Sequence, residues 1–420
     1  MAGSLSLDEK LSILMGLAAD DHDGSGLPPR LRHTRDVGAL KPLNLRRVRA
    51  GTGRRTLLRV LMTNACSFNC HYCPMRRDRE MPRTLLLPHE LVRIFLGALS
   101  RGWCDGLFIT TGIPGRPTAV IDQLITVLEL LRDRHSYTGY VHVKMPPGGD
   151  GAQIERLTAL ASRVSINLET PCGATLTRIA PEKDLATTLV SLERVRRDVN
   201  AAREAERAGR PRDPRRPGGT AGITTQFIVG ATADDDRAIL DRVRTLYAGG
   251  GVHHAHFSAF RPIRDTPMDG VRAAPALREH RLYQADYLMR QYGFAATEVV
   301  FAADGNLPLA HDPKAAWALA HPERFPVDVR LASAEALMRV PGIGPASARR
   351  IVAERRATVL RDLADLRRIG VVTTRAAGFL TIGGRPLDRV RWTEQLPLWS
   401  AESDVGARAS VYEVSPGTFR

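Results

Sequence analysis

The chain has 420 residues, 43% of them apolar, enough for two or three domains with cores of their own, and this excludes a disordered protein. With 60 Lys and Arg against 45 Asp and Glu the formal charge is +15 and the pI near 10.2, a balance that favours a polyanionic partner, nucleic acid first. Five Cys do not make a disulfide framework and point to a reducing, cytoplasmic setting; Met1 to Leu17 does not read as an export leader, and no stretch approaches the roughly 18 apolar residues of a membrane span.

Residues 1–55 read as a lead-in: a short helix over Leu7 to Leu17, a polar turn from Asp20 to Gly26, and a basic run from Arg46 to Arg55. From Leu57 onward apolar strand-like runs alternate with helical patterns. The strands are Leu57 to Met62, Leu107 to Thr111, Tyr140 to Met145, Val164 to Thr170, Thr225 to Val229 and His254 to Phe260. Between them, helices are expected over His89 to Leu99, Val120 to Arg132, Ile154 to Ala161, Leu185 to Ala208 and Asp235 to Tyr247. This alternation predicts an α/β fold, a partial (β/α)6 TIM-like barrel over residues 56–310, with its site at the C-terminal ends of the strands.

Directly after the first strand stand Cys66, Cys70 and Cys73, with Tyr72 before the last of them. Three thiolates at Cys-x3-Cys-x2-Cys spacing hold three irons of a 4Fe-4S cluster and leave the fourth iron open. An open iron is able to chelate the amino and carboxylate groups of S-adenosylmethionine, and an electron delivered there splits the sulfonium to give a 5'-deoxyadenosyl radical. This spacing is the radical SAM signature. The alternative is a zinc knuckle, but its usual second Cys or His pair is absent at the expected distance.

Period-two alternation puts His142 and Lys144 on one strand face and Val141 and Val143 on the other; Asn167 and Glu169 oppose Ile166 and Leu168, and His254, His256 and Ser258 oppose Ala255 and Phe257. A polar inner face suits a cavity for a charged cofactor and a polar substrate; the alternative is that these residues face helices or solvent. Thr110-Thr111-Gly112 ends the second strand, where a glycine permits close backbone approach, with Ile113 in place of an acidic residue. Tyr72, Thr111, Gly112, Glu169 and Gln226 are the candidate cofactor-binding residues. Glu169 and Gln226 are equally readable as structural hydrogen-bonding groups. Arg194 to Arg216 reads as a helix extension and a flexible loop, either a solvated charge run or a nucleic-acid arm. Cys104 and Cys172 read as incidental small residues, with a reactive thiol at Cys172 as the alternative.

A helix is expected over Arg278 to Tyr292 and a linker over residues 311–330. Residues 331–385 then carry two short amphipathic helices around Pro341-Gly342-Ile343-Gly344, an all-α helix-hairpin-helix unit. Its glycines permit the tight turn, and Gly342, Ile343, Gly344, Arg349 and Arg350 are the candidate contacts to a DNA backbone. Arg368-Ile369-Gly370-Val371 repeats the pattern loosely as a second hairpin. The tail, residues 386–420, contains Gln395-Leu396-Pro397-Leu398-Trp399, similar to peptides that bind a bacterial sliding clamp; the alternative is that it packs on the protein itself.

With both motifs in one chain, the sequence resembles a bacterial family of DNA modification or repair radical SAM proteins. The resemblance runs through Met62 to Arg77, Asn167 to Glu169, Thr224 to Gly230, Ser258 to Phe260, Arg278 to Asp286 and the hairpin. It implies a radical SAM enzyme that modifies or repairs DNA and a partner of the uracil-DNA glycosylase superfamily. Reduction of the cluster calls for a donor such as a flavodoxin or ferredoxin. Two alternatives remain open, an RNA-modifying radical SAM enzyme and a redox-sensing iron-sulfur DNA-binding protein without turnover.

Overall fold

Each strand of the barrel is a short, branched apolar run, and each is followed by an amphipathic helix that brings the chain back to start the next strand in parallel. The computed structural model describes residues 5–18, 44–50, 53–249 and 251–387. It divides into two compact units, residues 1–320 and residues 321–420. The polar turn at Asp20 to Gly26 and the segment Gln395 to Trp399 lie outside the described residues.

The first unit opens with α1 (Leu7–Ala18), followed by the hairpin β1 (Leu45–Ala50) and β2 (Gly53–Leu61). Then come α2 (Pro88–Ser100), β3 (Gly106–Thr110), α3 (Pro117–Glu129), β4 (Tyr140–Lys144), α4 (Gly151–Leu160) and β5 (Arg163–Ser165). The unit closes with α5 (Gly173–Ile179), α6 (Leu185–Arg207), β6 (Ile223–Val229), α7 (Asp236–Ala248), β7 (Val252–Ala259), α8 (Ala276–Gln291) and α9 (Pro313–Ala320). The seven strands lie in sequence order. β2 to β7 are parallel, the six expected βα units, and β1 adds an antiparallel edge that the sequence reading folded into the lead-in. The N-terminal helix belongs to the barrel core, with Leu11, Leu14 and Met15 buried there and Lys10 paired to Glu90 at 2.9 Å.

The alternation along the strands is resolved in favour of a polar interior. Val141, Val143, Ile166, Leu168, Ala255 and Phe257 join the apolar layer between sheet and helices. His142, Lys144, Asn167 and His256 therefore share the inner face.

Three expectations need correction. Regular pairing of β5 stops at Ser165, and the chain beyond it meets β6 again only at Glu169, which bridges to Phe227. The loop after α6 is not loose: Gly218 N–H donates to Ala159 O (3.0 Å), Gly219 N–H to Ala161 O (2.8 Å) and Ala221 N–H to Ser162 O (3.0 Å), while Arg216 pairs with Asp133 at 2.7 Å. The stretch expected as a linker is structured, since α9 packs on α8 in the first unit and Val327–Asp328 is a strand of the second. Pro and His residues there had masked a short helix rich in Ala.

The second unit contains β8 (Val327–Asp328), α10 (Ala334–Arg339), α11 (Pro345–Ala357), α12 (Leu363–Arg368), α13 (Thr373–Ala376), β9 (Leu380–Ile382) and β10 (Arg385–Pro386). Leu337, Val340, Ile343, Ile351, Leu366 and Leu380 fill its core. The three short strands form a sheet in the order β10-β9-β8, which the all-helical expectation lacked. Among the described residues no helix is long and apolar enough to cross a membrane.

Candidate functional site

Beyond β2 the chain leaves the sheet at its C-terminal edge and runs through the three cysteines. It is joined to the loop after β3 at four points: Met62 N–H donates to Thr110 O (2.8 Å), Gly112 N–H to Thr63 O (2.7 Å), Ser67 N–H to Ile113 O (2.8 Å) and Gly115 N–H to Ser67 Oγ (2.7 Å). A Cβ at Gly112 would lie 2.3 Å from Ala65 O, so only glycine lets the two loops meet. Thr111 Oγ1 donates to Gly112 O at 2.7 Å. The close approach expected at Gly112 is thus made by the Cys loop itself.

Arg83 fixes the loop from the other side. Its Nη1 donates to Asn64 O (2.6 Å) and Met75 O (2.8 Å), and its Nη2 to Arg76 O (2.6 Å) and Arg79 O (2.8 Å). One guanidinium therefore gathers carbonyls from both sides of the cysteines. The connection around α5 supplies two more anchors, Ile179 O for His71 N–H (2.7 Å) and Glu182 Oε2 for Asn69 N–H (3.0 Å). Cys70 is buried against Leu176 and Ala180.

Burial pushes the Cys70 thiol up; burial, then Cys70 and Cys66, push Cys73 up to about 12. The three sulfurs are thus close enough to feel one another. Yet among the described residues no three His, Cys, Asp or Glu are gathered as a single metal ion would require. Thiols that interact without converging on one ion fit a cluster, where each takes its own iron, better than a zinc knuckle. Phe68 N–H points at Cys66 Sγ (3.4 Å), as a thiolate ligand favours.

The strand ends bring three of the predicted residues into one polar chain. Lys183 Nζ donates to Tyr72 Oη (3.1 Å) and to Glu169 Oε1 (2.7 Å). Asn167 Nδ2 reaches Glu169 Oε1 (3.3 Å) and Gln226 Oε1 (3.4 Å), and Lys144 Nζ donates to the same Gln226 oxygen at 3.3 Å. Glu169 holds φ at +68°, a left-handed conformation that costs a non-glycine residue about 1 kcal/mol. Its backbone is tied down on both sides, Glu169 N–H to Gln226 O (2.9 Å) and Ile228 N–H to Glu169 O (2.8 Å). Burial alone would lower Lys183, but the Glu169 carboxylate and then the thiols outweigh it and hold the ammonium above its ordinary range. Burial raises Tyr72 well above the usual phenol range, with Glu169 adding to it.

Tyr72, Glu169 and Gln226 therefore stand together, while Thr111 and Gly112 form the seam with the Cys loop. Sequence reasoning missed Lys183 and Arg83. Each lies in an irregular polar loop with no periodicity, and only the proximity of Pro82 and of the Glu182-Lys183-Asp184 run marked these stretches as turns. Of the two other cysteines, Cys104 is buried in the apolar core, which raises it to about 11. Cys172 Sγ lies 3.1 Å from Thr175 Oγ1.

In the second unit the Pro341 to Gly344 hairpin turns at Gly342, φ +86°, and Gly370 repeats this at φ +92° between α12 and α13. The two turns dock on one another: Val372 N–H donates to Gly342 O (3.0 Å) and Ser347 Oγ to Gly370 O (2.7 Å). Ile343 is 1% exposed and its N–H donates to Val340 O (3.1 Å), so its side chain anchors the hairpin in the core and faces no ligand. Gly344 caps α11, and Arg349 and Arg350 are exposed along that helix.

Residues 60–200 match the family model described as the radical SAM superfamily, and residues 324–381 match that of the helix-hairpin-helix motif. Among solved structures, the chain is similar to HydG, a maturase of the [FeFe]-hydrogenase, at 20% identity over 56% of this chain and 49% of that one, with a TM-score of 0.42. Methylornithine synthase (PylB) aligns at 13% identity over 56% of this chain and 61% of its own, TM-score 0.42. The radical S-adenosylmethionine methyltransferase TsrM from Kitasatospora setae aligns at 18% identity over 52% and 41%, TM-score 0.37. The chain spans less than two thirds of the length of each of these structures. No curated protein matches. On this footing the chain carries a radical SAM domain, an enzyme module whose cofactors are a 4Fe-4S cluster and S-adenosylmethionine, with a helix-hairpin-helix motif C-terminal to it.

Proposed function

We propose that the protein modifies or repairs a nucleic acid, with DNA as the polymer. The observation that carries this reading is the pair of docked hairpins in the second unit, with Gly342 and Gly370 in left-handed turns and Arg349 and Arg350 exposed beside the first. Such a unit offers backbone amides and cations to phosphates without reading bases. The excess of positive charge over the whole chain supports the same partner.

Cys66, Cys70 and Cys73 hold the cluster in this reading. Tyr72, Glu169 and Gln226 bind and orient S-adenosylmethionine, and Thr111 and Gly112 keep the Cys loop against the strand that carries them. When bound, the two cofactors supply a 5'-deoxyadenosyl radical that abstracts hydrogen from, or adds to, a base or sugar. Lys183 holds the Glu169 carboxylate in one orientation, and its ammonium keeps its proton at neutral pH. A base inside a duplex is out of reach of such a barrel, so the target is flipped or single-stranded. A flavodoxin or ferredoxin is the class of reductant required, and a uracil-DNA glycosylase-like protein is the proposed partner.

Anaerobic turnover with defined damaged and undamaged oligonucleotides, followed by mass spectrometry of nucleosides and of 5'-deoxyadenosine, tests this reading. A nucleoside of altered mass, formed only with S-adenosylmethionine and reductant, is the expected result. An equal yield of 5'-deoxyadenosine with and without any nucleic acid, and no altered nucleoside, overturns it.

A further inference from the structure

Below the strand-end network the barrel interior is lined by positive and imidazole groups. Arg59, Phe108, His142 and Arg163 are register neighbours on β2 to β5, one layer across the inner face. Arg59 is 2% exposed, with its guanidinium 4.6 Å from the Phe108 ring centroid; that ring meets His142 edge-on at 4.6 Å. His142 Nε2 lies 3.0 Å from Ser165 Oγ. Across the lumen His256 stacks edge-on with His254 at 4.5 Å, and Lys144 projects from the end of β4. Arg59 and Lys144 are two residues apart in register, so the two cations are separated along the strands by about 7 Å.

Like charges gathered inside a protein cost free energy unless an opposite charge joins them. Burial, followed by Arg163, His256, Lys144 and Arg59, drives His142 well below its ordinary value, and burial with His254, Arg163, Lys144 and Arg59 does the same to His256. The carboxylates closest to this layer are already engaged, Glu169 by Lys183 and Asp286 by Arg290, Tyr247 and His254. Two buried polar atoms on the same face, Thr224 Oγ1 and Asn167 Oδ1, have no partner, although Thr224 is only 1% exposed. Lys144, Asn167 and His256 are half-buried, so the lumen is open to solvent.

We infer that the barrel lumen is a binding site for a phosphate ester, with Arg59, Lys144 and Arg163 facing the anion and Asn167 and Thr224 taking hydrogen bonds from the group attached to it. A nucleotide offers both features. This inference deepens the nucleic-acid reading and rests on it for the identity of the attached group. The phosphate ester comes either from a free nucleotide or from a nucleotide of a single strand.

Calorimetry on the full-length protein compares the four 2'-deoxynucleoside 5'-monophosphates, the matching nucleosides, and a short single-stranded oligonucleotide. Wild type, Arg59→Met, Lys144→Met and the charge-preserving Arg59→Lys are measured in parallel, with thermal melting and cluster content as controls of folding. A monophosphate at least tenfold tighter than its nucleoside, a tenfold loss in Lys144→Met, and retention within about threefold in Arg59→Lys are expected. Monophosphate binding identifies a free nucleotide as able to fill the site; a tenfold loss confined to the oligonucleotide identifies the strand. Equal binding of nucleoside and monophosphate, with oligonucleotide binding unchanged in folded Met variants, overturns the inference. That outcome leaves the nucleic-acid reading standing, whereas monophosphate binding with no oligonucleotide affinity removes the reading and keeps the lumen site.

Discussion

In the barrel unit the positive groups Arg59, Lys144 and Lys183 stand inside or at the mouth of the sheet, while in the helical unit Arg349 and Arg350 lie on the surface around a core of Leu337, Val340, Ile343 and Leu366. The difference follows from what each surface has to meet. An inward charge is desolvated and acts strongly on a small group held at fixed distance. An outward charge is screened and acts on a polymer through the number of contacts made. The two units also use glycine alike. Gly112 lets Ala65 O come within 2.3 Å of the missing Cβ and Gly342 lets Val372 O come within 2.5 Å, but the first joins the loop of the cysteines to a strand and the second joins two hairpins.

If this division holds, damage to one unit should leave the other intact. The largest effect belongs to the cysteines. Cys66→Ala, Cys70→Ala or Cys73→Ala should each abolish the site-differentiated cluster, read by electron paramagnetic resonance, and with it reductive cleavage of S-adenosylmethionine; DNA affinity should not change. A full cluster and undiminished cleavage in any one of them would refute the ligand set.

Next comes the Lys183 and Glu169 pair, whose side chains are 15% and 5% exposed. Lys183→Met leaves a buried carboxylate unpaired and should lower the stability of the barrel by about 3 kcal/mol in denaturant titration. Adding Glu169→Gln should restore most of that loss without restoring affinity for S-adenosylmethionine. No recovery in the double variant would mean that the lysine acts through packing and not through the pair.

Arg83→Ala removes charged hydrogen bonds to four carbonyls and should cost about 3 kcal/mol, with cluster content after reconstitution reduced several-fold. Iron and sulfide analysis gives the readout. Normal loading in a stably folded Arg83→Ala protein would show that the loop holds its shape through Gly112 and Asn64 alone.

In the other unit, Gly342→Val should lower DNA affinity at least tenfold, since the residue needs φ of +86° and its Cβ would strike Val372 O, at a cost of about 2 kcal/mol to the unit. Cleavage of S-adenosylmethionine without DNA should be unaffected. The smallest effect is expected for Arg349→Ala and Arg350→Ala, a several-fold loss each, with the slope of log affinity against log salt falling by about one per arginine. An unchanged slope in both would move the DNA surface away from α11.

Much of this arrangement was legible along the chain because it is local. The Cys spacing, the period-two faces of β4 and β7 and the Pro-Gly-Ile-Gly turn depend on neighbours within a few residues, and the polar inner face followed from alternation once six βα units were recognised. The residues that complete the site were not legible. Lys183 reaches Tyr72 across 111 positions of sequence, Lys144 reaches Gln226 across 82, and Arg83 finds its carbonyls in a loop without repeat or periodicity. The strand expected from Val164 to Thr170 had the right composition but not the right path, because Glu169 takes a left-handed turn that brings its carboxylate to Lys183. Ile343 looked from the sequence like a member of the DNA-facing hairpin, yet its apolar side chain gains more from the core beneath it. The sequence by itself determined which groups exist and which local turns they make. The tertiary structure decided which of them meet, since contacts between residues far apart in the chain depend on how the strands wind and what their loops enclose.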